Sequence, residues 1–86
     1  MVLEGRIFWE NRILAIKTVS IDEGDEGFSR VLEAALIELC RQMDIPAPIW
    51  LSKNTKEFAA FHQTIFFADQ YTDAVKFDKF QIKMLS

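Results

Sequence analysis

A periodic stripe of apolar residues between Phe28 and Met43 most constrains how this chain of 86 residues can fold. Its members recur at spacings of three and four residues, which is the period of one face of an α-helix. Pro46 disfavours the helical conformation at Ile45, so the helix is predicted to end near Asp44. The stripe therefore predicts one long amphipathic helix that needs a hydrophobic layer to pack on. Its members are Phe28, Val31, Leu32, Ala35, Leu36, Leu39, Cys40 and Met43.

The segment before this helix, residues 2–21, predicts a β-hairpin that supplies the layer. β-branched and aromatic residues dominate it, and Glu10-Asn11 provides a two-residue turn. An unbroken register around this turn pairs Glu4 with Lys17 and places most apolar residues opposite apolar ones. The predicted core side carries Leu3, Gly5, Ile7 and Trp9, opposite Thr18, Ile16, Leu14 and Arg12.

The rest of the chain predicts a short helix and further strands. Asn54 is a good N-cap with Glu57 three residues later, so a helix is expected from Thr55 to His62, with Phe58, Phe61 and His62 toward the core. Residues 64–67 are strand-like, and the alternation of residues 80–84 predicts a third strand of the hairpin sheet. The whole pattern predicts a single α+β domain over residues 1–86. It comprises an N-terminal β-hairpin, one long amphipathic helix, a short second helix and C-terminal antiparallel strands.

The aromatic content indicates self-association. Eight Phe, two Trp and one Tyr occur in a chain whose single domain can hide only about 60–65% of its unfolded surface. In the unbroken register, the second face of the hairpin also remains partly apolar at Val2, Phe8, Ile13 and Val19. We therefore expect a non-catalytic interaction or structural domain that forms a homodimer or binds another protein.

The charge balance disfavours nucleic acid as a partner. The formal net charge is −3, whereas proteins that bind phosphates usually carry a basic excess. Lysines and aromatic residues do interleave in the C-terminal half, so weak nucleic-acid binding there is a further alternative. The lysines concerned are Lys53, Lys56, Lys76, Lys79 and Lys83.

The chain has no sequence signal for export, a membrane or a cofactor. Cys40 is the single cysteine, which excludes an intramolecular disulfide, and it lies on the apolar stripe as a packing residue. There is no hydrophobic signal segment, and the longest apolar runs are far shorter than the ~20 residues that span a bilayer. No glycine-rich phosphate loop or Cys/His metal cluster is present. A cytoplasmic location without cofactor or membrane contact is expected.

The acidic segment before the long helix resembles part of a calcium-binding loop. Counting from Asp22, Gly27 and Glu33 occupy the sixth and twelfth positions of an EF-hand loop. However, Gly24 and Arg30 stand where oxygen ligands are required. The segment is therefore interpreted as a helix start, with no metal, in which Asp25 caps the helix. Three more acids, Asp22, Glu23 and Glu26, suit the positive end of its dipole.

Three motifs of the C-terminal half resemble those of a family of small uncharacterised bacterial proteins. They are Trp-Leu-x-Lys-Asn-x-x-Glu-Phe at residues 50–58, Asp-Gln-aromatic at residues 69–71, and Phe-Asp-x-Phe at residues 77–80. The resemblance covers about residues 44–82. It implies a stand-alone bacterial domain and carries no activity or ligand.

The polar residues of these motifs form the candidate ligand site. One interpretation is structural, in which Asn54 and Glu57 cap a helix and Asp69-Gln70 makes a turn. The alternative is a small-ligand or enzymatic site around Trp50, Asn54, Glu57, His62 and Asp69. No catalytic residue can be assigned, because His62 has no nucleophile or carboxylate at a recognised spacing. The full candidate set is Trp50, Lys53, Asn54, Glu57, His62, Asp69, Gln70 and Tyr71.

Overall fold

The computed structural model describes all 86 residues. Four strands and two helices follow one another in the order ββααββ. A short 3-10 turn, Ala68–Gln70, follows the third strand. The bounds are β1 (Val2–Trp9), β2 (Arg12–Ser20), α1 (Phe28–Met43), α2 (Ser52–Phe61), β3 (Gln63–Phe67) and β4 (Lys79–Met84).

The four strands form one antiparallel sheet in the order β2-β1-β4-β3. The first and last strands of the chain are therefore the two central strands, and β2 and β3 are the edges. This arrangement confirms the α+β class, the N-terminal hairpin and the prediction that residues 80–84 add a strand to the hairpin sheet. The predicted strand at residues 64–67 is also confirmed, as β3.

The hairpin turn was predicted correctly, but its register was not. Glu10 and Asn11 both have positive φ, at 50° and 65°, as a two-residue hairpin turn requires. Trp9 pairs with Arg12 and Phe8 with Ile13, but Ile7 then pairs with Ala15 because the register shifts at this point. A β-bulge has inserted one extra residue into β2. Beyond the bulge, each residue of β2 faces the side of the sheet opposite to the predicted one. Val19 is therefore buried, while Leu14 and Ile16 are exposed.

One hydrophobic cluster fills the space between the sheet and the helices. The sheet contributes Leu3 and Ile7 from β1 with Phe80 and Ile82 from β4, all at most 6% exposed. The prediction of α1 is confirmed at both ends, and six of its stripe residues are buried, including Cys40. The buried stripe residues are Val31, Leu32, Ala35, Leu36, Leu39 and Cys40.

Gly5 of β1 lies directly beneath the side chains of Leu39 from α1 and Phe80 from β4. A Cβ atom on Gly5 would lie 2.6 Å from Cδ2 of Leu39 and 2.9 Å from Cε1 of Phe80. Both distances are shorter than carbon atoms tolerate without displacement. A larger residue at position 5 would therefore require the Leu39 and Phe80 side chains to move.

The opposite side of the sheet carries no helix, and we call it the open face. Strand alternation turns Arg6 and Phe8 of β1 to this side, opposite the buried Leu3 and Ile7. The residues of the neighbouring strands that pair with Arg6 and Phe8 lie on this side as well. The open face comprises Glu4, Arg6, Phe8, Ile13, Ile16, Thr18, Gln63, Ile65, Phe67, Lys79, Gln81 and Lys83.

The predicted caps of both helices need correction. The N-cap of α1 is Gly27, with no side-chain cap, because Asp25 lies two residues too early to reach the first turn. Helix α2 begins at Ser52, after the N-cap Leu51, three residues earlier than predicted. Asn54 is therefore inside the helix, where its side chain accepts a hydrogen bond from the Leu51 backbone N–H at 2.9 Å.

The end of α2 also differs from the prediction. Phe58 is buried as expected, but Phe61 is 70% exposed and His62 is exposed. The reason is that His62 leaves the helix in a left-handed conformation, with φ 57°, and turns the chain directly into β3. No helix of the structure combines the length and the apolar character needed to cross a membrane.

Candidate functional site

The structure separates the predicted site residues into three groups. Asn54, Glu57 and Gln70 belong to one hydrogen-bonded network under α2. Trp50 and His62 line a cleft between the two helices. The remaining members, Lys53, Asp69 and Tyr71, lie outside both.

Asn54 is the centre of the network, and its side chain is completely buried. Its Oδ1 accepts hydrogen bonds from the Leu51 N–H and from Nε2 of Gln70, at 2.9 and 3.0 Å. Its Nδ2 donates to Oγ1 of Thr64 at 2.7 Å and to the backbone oxygen of Ile65 at 3.3 Å. All its hydrogen-bonding groups are thus engaged by the protein itself.

Gln70 and Glu57 extend the network on either side. Oε1 of Gln70 accepts the backbone N–H of Phe67 at 3.0 Å, and its Nε2 also donates to the Ile49 oxygen at 3.1 Å. The hydroxyl of Thr64 donates to Oε1 of Glu57 at 2.6 Å. Because the partners include backbone groups of β3, the two amide side chains occupy hydrogen-bonding positions along the outer edge of that strand.

The cleft between α1 and α2 has a volume of about 630 Å³. The indole N–H of Trp50 donates to Oγ1 of Thr55 at 2.8 Å, and its ring lies 5.6 Å from that of Phe66 and 6.2 Å from that of Phe58. These contacts fix the position of the Trp50 side chain, which forms one wall of the cleft. The lining is mostly apolar: Phe28, Ser29, Leu32, Glu33, Leu36, Ile37, Ala47, Pro48, Trp50, Thr55, Phe58, Ala59, His62 and Met84.

No acid–base pair is formed at His62. The imidazole forms no hydrogen bond or ion pair with another protein group, and the Glu57 carboxylate is occupied by Thr64. A general base needs an orienting partner and a substrate proton within reach. His62 therefore has no orienting partner within the chain.

Tyr71 is buried beneath the loop before β4. Its ring packs edge-on against Phe77, with the ring centres 5.3 Å apart, and its hydroxyl has no hydrogen-bond partner. Burial, with a smaller contribution from Cys40, raises the pKa of the Tyr71 hydroxyl above its usual value. Burial also raises the pKa of the Cys40 thiol to about 11. Neither group is a nucleophile at neutral pH.

The acidic segment forms a turn before α1. Oδ1 of Asp22 accepts the Gly24 N–H at 3.3 Å, and the Glu23 carboxylate lies 3.8 Å from the N-terminal ammonium. Nowhere in the chain do three acidic, histidine or cysteine side chains converge as metal ligands. Lys53 and Asp69 are exposed, and Nζ of Lys53 lies 4.6 Å from the centre of the Phe67 ring.

Sequence reasoning missed the free edge of β2. It named Lys79 and Lys83 as candidates for weak nucleic-acid binding, but it did not identify the open face that they share with Phe8 and Arg6. The edge is invisible in a sequence because strand order is not encoded locally. The open face could have been found from the alternation of Lys79, Gln81 and Lys83 with buried residues, had the register of β1 and β4 been known.

Searches against protein-family models, curated proteins and solved structures give no match for this chain. The function is therefore argued from the geometry of these surfaces.

Proposed function

We propose that this chain is a non-catalytic interaction domain of the bacterial cytoplasm that self-associates through the free edge of β2. The observation that carries the proposal is the difference between the two edges of the sheet. Side chains of Asn54 and Gln70 bond backbone groups along the edge of β3. No side chain or strand covers β2 in the same way, and an uncovered edge strand is a template for pairing with another chain.

The hydrogen-bonding pattern identifies the backbone groups that β2 offers. Met1 and Ile21 exchange two bonds, from the Met1 ammonium to the Ile21 oxygen at 2.8 Å and from the Ile21 N–H to the Met1 oxygen at 2.9 Å. In an antiparallel ladder such reciprocal pairs alternate along the strand. Val19 and Lys17 therefore bond inward to β1. The N–H and C=O groups of Ile16, Thr18 and Ser20 point to the free edge.

A second copy can pair with this edge about a two-fold axis at Thr18. Thr18 then faces its own copy, and Ile16 faces Ser20, so every outward group finds a partner. The same register brings Arg12 beside the acidic turn at Asp22 and Glu23 of the partner. An axis at Ile16 would instead bring Glu10 against Asp22, and like charges oppose that register. Charge complementarity thus supports the axis at Thr18.

Light scattering during size-exclusion chromatography tests the proposal. The wild-type chain is expected to be a dimer at high concentration, and Thr18→Pro a monomer, because proline removes an outward N–H that makes no bond within the domain. Thr18→Ala keeps the N–H and is the matched control, expected to remain dimeric. A monomeric wild-type chain, or a dimeric Thr18→Pro variant with native circular dichroism, would refute the proposal.

The cytoplasmic location and the bacterial relationship are part of the same proposal. A buried, unpaired Cys40 is compatible with a reducing compartment. The motif resemblance supports membership in the family of small bacterial proteins. In this chain the motif residues Asn54 and Gln70 have a structural role, which accounts for the motif without requiring a ligand.

The cleft supports a second candidate function, the binding of a small apolar molecule. Its volume lies within the ~300–1,000 Å³ of ligand pockets, and Trp50 and His62 of the predicted site both line it. Titration with 8-anilinonaphthalene-1-sulfonate, followed by the emission of Trp50 in a Trp9→Phe background, tests this function. Saturable binding is expected, and Ala59→Phe should abolish it by filling the cleft. Ala60→Phe, outside the lining, is the control, and equal effects of both variants would reject the cleft.

A further inference from the structure

We propose that the open face of the sheet binds single-stranded nucleic acid, independently of the β2 edge. Two aromatic rings and three cations lie on this one surface, Phe8 and Phe67 with Arg6, Lys79 and Lys83. Aromatic faces stack bases and basic side chains contact phosphates in proteins that bind single strands. Sequence composition disfavoured this partner, but composition averages over both sides of the domain.

The first supporting observation is a row of side chains across the sheet. Lys79 pairs with Phe8 on one side and with Phe67 on the other, so the lysine stands between the two rings. Its Nζ lies 5.6 Å from the centre of the Phe8 ring. Lys53 extends from α2 to Phe67, and its Nζ lies 4.6 Å from the centre of the Phe67 ring. Each ring therefore has a cation beside it.

The second observation is the sign of the charge on this face. Arg6, Lys79 and Lys83 are opposed there by Glu4 alone, which forms an ion pair with Arg6 at 2.8 Å. These four residues give the open face a net charge of +2, whereas the whole chain has a formal net charge of −3. A polyanion would be attracted to the open face and repelled by the rest of the molecule.

The third observation is the availability of the rings. Phe67 is 43% exposed, unlike Phe66 and Phe80 of the core, which are fully buried. A base can stack on this exposed phenyl ring when the Lys53 side chain, whose Nζ lies over the ring, moves aside. Phe8 is partly buried, so Phe67 is expected to be the principal stacking residue.

Fluorescence anisotropy with labelled dT12 and rU12 tests the proposal at low and physiological salt. We expect saturable binding that weakens with salt, and weaker binding to a 12-base-pair duplex, whose bases are already stacked. Phe67→Ala should reduce affinity about tenfold, as expected for one stacked base. Lys79→Gln and Lys83→Gln should each reduce affinity severalfold and flatten the salt dependence.

Matched controls lie on the other side of the domain. Phe61→Ala removes an aromatic ring that is 70% exposed at the end of α2, and Arg30→Gln removes a cation on α1. Both variants should bind like the wild type, and thermal unfolding checks that all variants are folded. No binding at low salt, equal losses from the controls, or equal affinity for the duplex would each overturn the proposal. Binding of rU12 but not dT12 would support it and assign the ligand to RNA.

Discussion

At the scale of single residues, the core contains two ionisable groups, Cys40 and Tyr71, whose pKa values are raised by burial. Cys40 is 3% exposed and Tyr71 is 7% exposed. Burial disfavours the charged thiolate and phenolate, which explains why the pKa of each group is raised. The position of Cys40 was predictable from the helical stripe. Tyr71 was not, because its burial depends on the path of the loop that carries Phe77.

These raised pKa values predict a loss of stability at high pH. Well below pH 9, the pKa of the thiol in the unfolded chain, Cys40 is protonated in both the folded and the unfolded chain and has no effect on the balance. Between pH 9 and about 11 the unfolded chain ionises first, so the free energy of unfolding falls, by roughly 2–3 kcal/mol in full. Urea unfolding at pH 8, 10 and 11 measures this fall. Cys40→Ala should have a shallower pH dependence, and parallel curves would contradict the assignment to Cys40.

At the scale of elements, the edge of β3 depends on side chains of α2 and the 3-10 turn. Asn54→Ala would leave the Leu51 N–H, the Ile65 oxygen and the Gln70 amide without one of their partners. We expect the free energy of unfolding to fall by about 3–5 kcal/mol, because each buried unpaired group costs about 1–3 kcal/mol. Urea denaturation measures the fall. Hydrogen exchange of the Phe67 amide should also become faster.

Lys56→Ala provides the control for this experiment. Lys56 is exposed on the same helix and forms no hydrogen bond or ion pair within the chain, so its removal should change stability by less than about 0.5 kcal/mol. If Asn54→Ala were no more destabilising than Lys56→Ala, the network would not be what holds the edge of β3.

The elements also explain which parts of the fold were predictable. Helix α1 was predicted at both ends because its apolar period is local and uninterrupted. The bulge in β2 was not predicted. It leaves Leu14 without a partner in β1, and no residue type near Leu14 marks a bulge in the sequence. Helix α2 begins earlier than predicted because Asn54 accepts the Leu51 N–H from inside the first turn, and Thr64 and Gln70 hold the same side chain through contacts that are distant in sequence.

At the scale of the whole molecule, the sheet separates two chemically different sides. The helical side contains the cleft, whereas the open face carries one acidic residue, Glu4, and three cations, Arg6, Lys79 and Lys83. The candidate site was predicted as one polar cluster because its residues are close in sequence. The fold distributes them instead between a buried network, the cleft and the surface, and the open face combines β1 and β4 from opposite ends of the chain.

The central position of β1 and β4 has a consequence for synthesis of the chain. During translation, β2 can pair with β1 and α1 can pack on that hairpin while later residues are still being added. β3, however, has no neighbour in the sheet except β4. Pairing of β4 with β1 joins residues as distant in the chain as Leu3 and Met84, and such pairing carries a large entropic cost and is typically slow. The native sheet therefore cannot be completed until Lys79–Met84 has left the ribosome, because β4 is the strand that joins the hairpin to β3.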